Sequence, residues 1–236
     1  MLGTIVNTVS IIVCSLVGVL LKGGIKERYR DIIMTALGLA VLYVGAAGAI
    51  SGLLDENAQP VLFIISLVIG SAMGEWIDIE LRLENLGNYI QSKMSGSDSN
   101  ISQGFVSASL IFCVGTMAIL GSIESGIAGN HTTLYVKSML DGVMSIILAS
   151  SMGIGVMLSA VSIFVYQGAI TLFAQILEPL MTADVLREIN IIGGILISGI
   201  GVNILKIKKI KVGNMLPAIL VPILYYLLGI NQLFMF

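Results

Sequence analysis

Long apolar runs alternate with short polar connections along the whole chain, and the runs have the length that a lipid bilayer requires. A helix needs roughly 20 apolar residues to cross the hydrocarbon, because every backbone N–H and C=O there must find its partner within the segment. On that ruler the pattern predicts spans over approximately 3–21, 32–53, 60–74, 104–123, 137–151, 154–177, 189–205 and 213–230, of which the third and fifth are short. The fold class is therefore all-α, a polytopic transmembrane bundle of about eight helices, with residues 1–236 forming a single integral membrane domain. The first apolar run follows Met1 almost directly, without a basic segment before it or a cleavage signature after it, and reads as a retained helix.

One polar stretch has its own periodicity. Trp76, Ile79, Leu83, Leu86 and Ile90 recur at alternating steps of three and four, while Asp78, Glu80, Arg82, Glu84 and Asn88 fill the other faces. That spacing predicts an amphipathic helix over 76–90, lying on the membrane interface or else extending the third span into water or a partner. A polar linker over 95–102 follows it.

Composition sharpens this picture. The chain is 56% hydrophobic and 11% charged, with a mean hydropathy of +1.00, whereas a soluble domain carries about 25% charged residues. The net charge of −2 offers no basic surface for nucleic acid, so the bilayer is the partner expected first. Both cysteines, Cys14 and Cys113, fall inside apolar runs and read as packing residues. The 12 methionines are scattered, so no metal site is expected. A nucleotide-binding loop, HExxH and GxSxG are all missing, which argues against an enzyme and leaves no cofactor to expect.

The charges that remain set the orientation, because cytoplasmic loops retain Lys and Arg. With both termini outside, the inward connections collect Lys22, Lys26, Arg28, Arg30, Arg82, Lys93, Lys206, Lys208, Lys209 and Lys211, ten of the 12 basic residues. Lys137 and Arg187 fall on the outer side. A seven-span count would place the lysines after the seventh span on the wrong face. A shift of 156 or 157 residues also aligns Gly38 with Gly194, Gly45 with Gly201 and Pro60 with Pro217. Spans one to three and six to eight would then be inverted repeats, an arrangement common in secondary transporters.

Ionisable and amide side chains at membrane depth are the candidates for chemistry, since such groups are expensive there and usually line a path or find a partner. Asp141 leads, one turn beyond Lys137. It would either bind a cation or proton inside the bundle, or pair with Lys137 at spacing four and anchor the helix end. Glu124 closes the fourth span, and with His131 it could form an outer relay towards Asp141, although a lone loop histidine is more often incidental. Asn7, Gln167 and Asn203 are amides within spans one, six and seven, and the repeat places Asn7 and Gln167 near equivalent positions. Asn214 opens span eight, where Pro217 and Pro222 remove backbone donors and free carbonyls for a site or a kink. Ser66, Gly70 and Gly74, and again Gly194 and Ser198, form small-residue stripes suited to close helix contact.

The strings LGTIVNTVS over 2–10, GEWID over 74–78, CVGTMAILGSIESG over 113–126, KSMLDG over 137–142 and GVNILKIKKIKVGNMLP over 201–217 resemble the YqgA and YdfK family of bacterial inner-membrane proteins, named as being of unknown function. The resemblance covers nearly the whole chain. It departs from the family pattern at Cys14, where glycine is usual, and at Ser125, where an acidic residue often stands. It implies a bacterial cytoplasmic membrane and a transport role without a settled substrate. The expected function is a secondary transporter or channel for a small ion or solute. The alternative is a membrane interaction or regulatory subunit without transport activity, engaged through the 76–90 helix and the Lys206–Lys211 segment. Homo-oligomer formation is left open.

Overall fold

The computed structural model describes residues 1–22, 27–82, 85, 88–89, 101–113 and 116–229. Helices account for the architecture: α1 (Leu2–Lys22), α2 (Glu27–Leu53), α3 (Pro60–Ile77), α4 (Ile101–Cys113), α5 (Thr116–Ile127), α6 (Thr132–Met152), α7 (Gly155–Leu172), α8 (Ala183–Ile204) and an interrupted α9 (Val212–Leu227). No strand occurs among the described residues. Local sequence explains several of the ends. Pro60 occupies the first turn of α3, where its missing N–H is not needed. Thr182 caps α8, its Oγ1 accepting the Val185 N–H at 3.3 Å, and Asp184 adds a favourable charge to that first turn. Pro217 falls in the 3-10 turn over 216–219 that interrupts α9, and Pro222 falls in the first turn of the helix that resumes at Leu220.

Six of these helices, α1, α2, α3, α6, α7 and α8, are long and apolar enough to cross a membrane, so the chain is a polytopic helical bundle. The expected fourth span is divided into α4 and α5, whose axes differ by 62°, and counting that pair as one crossing makes seven. The expected eighth is the shorter, proline-interrupted α9. Neighbour directions follow the alternation that successive crossings impose. Helices α1 and α6 run parallel, Gly3 lying against Leu134 and Gly142 against Ser10 and Cys14. Parallel contact also joins the α4–α5 pair to α7, through Ser109 Oγ donating to Ser162 Oγ at 3.0 Å and Gly126 meeting Thr171. Helix α2 crosses α8 antiparallel, and α3 crosses α9 antiparallel with Gly70 on Ala218 and Gly74 on Asn214. These small residues let backbones approach, which replaces the hydrophobic driving force that lipid removes.

Helix α8 is the most enclosed of the six spans, and Ile192, Leu196 and Ile200 on it join Ile11, Phe112, Leu148 and Ile163 in the main core. The outer faces are apolar instead, with Tyr43, Val44, Val61, Val68 and Val165 exposed as a lipid-facing surface.

The amphipathic helix expected over 76–90 is not one continuous element. Trp76 and Ile77 close α3, Asp78 takes a left-handed conformation with φ 55°, and helical geometry resumes over 79–82. Residues 83, 84, 86, 87 and 90 lie outside the described residues, as does the linker up to residue 100; Ile101 and Ser102, assigned to that linker, already belong to α4. Lys206 is the other non-glycine residue with positive φ among the described residues, at 57°. Its Cβ crowds the following carbonyl there, so Lys206→Gly is expected to raise stability by about 1 kcal/mol, read as an upward shift of the thermal unfolding midpoint in detergent.

Candidate functional site

Asp141 stands close to the midpoint of α6, a helix of 21 residues that begins at Thr132, five positions before the expected start. Lys137, one turn earlier on the same face, donates Nζ–H to Asp141 Oδ2 at 2.6 Å. Asn7 of α1 donates from Nδ2 to the same oxygen at 3.0 Å and lies 3.4 Å from Gln167 Oε1 of α7. Thr4 and Thr171 hydroxyls meet 3.5 Å apart a turn further along the same two helices, and Ser10 Oγ donates to the Ser138 carbonyl at 2.8 Å. Three helices thus enclose an ion pair and two amides. Asn7 and Gln167 are wholly buried, and Lys137 and Asp141 are each 7% exposed.

Two of the atoms at this centre make no hydrogen bond among the described residues: Asn7 Oδ1, an acceptor, and Gln167 Nε2, a donor. The hydroxyls of Ser15 on α1, Ser122 on α5 and Ser145 on α6 are similarly buried and unpartnered. Buried polar atoms are nearly always paired, so this group is equipped to exchange hydrogen bonds with a small polar species. Cys113, at the end of α4, lies within electrostatic reach of both Lys137 and Asp141. The two readings of Asp141 therefore meet in one arrangement. The spacing-four pair with Lys137 exists, but it sits inside the bundle among amides rather than at a helix end.

The other candidates lie elsewhere. Glu124 Oε2 accepts the Thr133 hydroxyl at 2.6 Å and Ser125 Oγ meets His131 Nδ1 at 2.9 Å, so both ties close the α5–α6 connection. Among the described residues no hydrogen bond joins Glu124 or His131 to Asp141, and the relay considered from the sequence is not assembled. Asn203 pins the turn after α8, its Nδ2 donating to the Ile210 carbonyl at 2.8 Å while its Oδ1 accepts the Ile210 N–H at 2.7 Å. Asn214 splices the start of α9 to the end of α3. Its Oδ1 accepts the Glu80 N–H at 2.6 Å, and its Nδ2 donates to Glu75 Oε2 at 2.7 Å. Lys211 bonds the other Glu75 oxygen, and that hydrogen bond raises the lysine's pKa above its ordinary value.

Glu188 is the buried acid that the hydropathy pattern passed over. Fully enclosed on α8, it accepts the Gln59 N–H at 3.1 Å through Oε1, while Oε2 has no partner among the described residues. Beside it Arg187 bonds Asp184 at 2.6 Å and the Asn57 carbonyl at 2.8 Å, tying the 55–59 loop to α8. The signal was present in Thr182 and Asp184, an N-cap and a first-turn acid that carry the helix start back past Glu188.

A sequence model of the family described as "Protein of unknown function (DUF554)" matches residues 2–227. The chain is 45% identical over 222 residues, 94% of either chain, to the protein of Bacillus subtilis (strain 168) named "Uncharacterized membrane protein YdfK". It is 26% identical over 226 residues, 93% of either chain, to the Escherichia coli (strain K12) "Uncharacterized protein YqgA". No solved structure matches it. The bundle of apolar helices and the membrane relative together place the chain in a membrane, and the match along nearly its whole length means that it belongs to the DUF554 family.

Proposed function

We propose that this chain is a secondary transporter or channel moving a small ion or solute across the bacterial cytoplasmic membrane. The observation that carries the reading is the Lys137–Asp141 pair held with Asn7 and Gln167 at mid-helix, where a purely structural bundle would use apolar packing. The pair is neutral as a unit, so it can persist within the bilayer, and a passing cation or proton would compete with Lys137 for the Asp141 carboxylate.

Inverted repeats supply the second support. Each helix pair matched by the 156- or 157-residue shift packs against its own counterpart: α1 on α7, α2 on α8 and α3 on α9. Within the α2–α8 crossing the contacts also exchange under the shift. Gly45 against Ser198 maps onto Gly201 against Leu42, and Gly38 against Leu205 maps onto Gly194 against Ala49. Ser198 Oγ donates to the Leu42 carbonyl at 3.2 Å, joining two positions that the shift itself relates. The Asn7–Gln167 contact then falls near the axis, the place where alternating-access proteins put their substrate. The 75–80 corner and the 211–214 segment share one end of the bundle, in keeping with a cytoplasmic face that carries the lysines and with both termini outside.

The test is a flux screen of the protein in liposomes over protons, alkali cations, divalent metals and small anions. Asp141→Asn is expected to lower the flux found by at least roughly tenfold, the effect of losing one charge-assisted bond of about 1.4 kcal/mol. No flux at all would remove transport and favour the interaction-subunit reading, for which the exposed Trp76, next to the Glu75 that bonds Lys211, is the supporting observation, while flux that the substitution leaves unchanged would remove Asp141 from the path.

A further inference from the structure

Four lysines follow α8, and three of them, Lys206, Lys208 and Lys209, are exposed side chains gathered around one cavity. Asn203 clamps the backbone of Ile210 in both directions, and Lys206 adopts a left-handed conformation between them, so the 203–210 segment folds back on itself. A strained lysine in a pinned turn concentrates charge where an open loop would disperse it. Lys206, Lys208 and Lys209 all line one cavity of about 570 Å³, bounded across from them by α4. That volume lies within the roughly 300–1,000 Å³ of small-molecule sites.

The lining divides by chemistry. Gln103 and Ser107, on one face of α4, add neutral hydrogen-bonding groups to the three ammonium groups. Leu110 and Ile200 contribute an apolar wall on the side towards the bundle. Among the described lining residues Glu80 brings the one carboxylate, and its Oε2 is engaged by the Gly213 N–H at 2.8 Å. Lys211 bonds Glu75 and stands outside the cavity. Retention of lysines on one membrane face, and their preference for a helix C-terminus, account for their side and position. Neither accounts for three of them sharing a concavity in which, among the described lining residues, three ammonium groups meet one carboxylate and neutral polar groups.

We propose that this cavity binds a phosphate-bearing anion, the lysines holding the phosphate oxygens and the α4 side chains orienting the rest. The same chemistry is offered by an anionic phospholipid headgroup and by a soluble phosphate compound. The inference stands apart from transport, since it uses none of the residues around Asp141.

The full chain in a neutral detergent is the material for the test. One arm follows phosphatidylglycerol by native mass spectrometry with phosphatidylcholine as the reference; the other follows inorganic phosphate by equilibrium dialysis. The expected result is saturable binding of one probe per chain in at least one arm. The Lys206→Gln/Lys208→Gln/Lys209→Gln triple variant should weaken it by at least about tenfold, with Lys211→Gln unchanged. These lysines are exposed, so monodisperse elution of the variants separates lost binding from lost fold. Ser107→Trp fills the cavity without altering charge and should abolish binding as well. Lipid binding alone assigns the site to the bilayer, and phosphate binding alone assigns it to a soluble ligand. Absence of binding in both arms, or binding that survives either the triple variant or Ser107→Trp, would overturn the proposal.

Discussion

Replacing Lys137 by methionine is expected to destabilise the folded protein by about 3–5 kcal/mol, the usual result of leaving one member of a buried ion pair without its partner. Methionine keeps most of the volume and the apolar stem, so packing changes little and the loss reports the charge. Asp141 would retain only the Asn7 Nδ2 bond at 3.0 Å, in surroundings that supply no water-like solvation. The Lys137→Met/Asp141→Leu double variant should recover most of that stability, because removing both charges also removes the need to desolvate them. Thermal unfolding in detergent, completed as a double-mutant cycle, measures the coupling directly. A single Lys137→Met variant as stable as the parent protein would mean that Asp141 is solvated, and the enclosed centre described above would not exist.

A second large effect is expected where α3 meets α9. A Cβ on Gly74 would fall on the backbone carbonyl of Asn214, and one on Gly70 would fall on the backbone of Ala218. Main chain cannot swing aside as a side-chain tip can, so either alanine must push the helices apart. Gly70→Ala and Gly74→Ala should each destabilise by about 3 kcal/mol, at the upper end of overpacking costs. Gly168→Ala is the internal comparison, since a Cβ there meets only the end of Met1 at an ordinary 3.5 Å. It should be neutral or stabilising by about 0.5–1 kcal/mol, the helical gain of alanine over glycine. Equal unfolding midpoints for Gly70→Ala and Gly168→Ala would contradict the close α3–α9 contact.

These two effects also mark how far one-dimensional reasoning reached. Hydropathy located Asp141 and Lys137 and paired them at spacing four, yet it began their helix five residues late. The charges themselves lowered the window average, and so the pair was drawn towards the helix end. The same averaging started α8 at 189 and left Glu188 outside, although the helix begins at Ala183. Gly70 and Gly74 were legible as a contact stripe because spacing four places them on one helix face. Their partner was not, since nothing in a glycine names what it touches. Glu124 and His131 were weighed as an outer relay towards Asp141, with an incidental histidine the commoner reading, and Thr133 and Ser125 engage those side chains at the α5–α6 connection.

By itself the sequence determined the apolar segments and their order, and it gathers most of its basic residues into a few short connections between them. Each follows from a rule acting on a local window: a lipid-embedded backbone must bond within its own helix, and lysine and arginine resist crossing the membrane. Tertiary structure alone decided that Asn7, 134 positions from Asp141, shares its carboxylate oxygen, and that three lysines border one cavity. Those outcomes depend on how each helix is rotated and how far it slides against its neighbours. Rotation and slide are settled by many small packing contacts between distant residues, which no window along the chain contains.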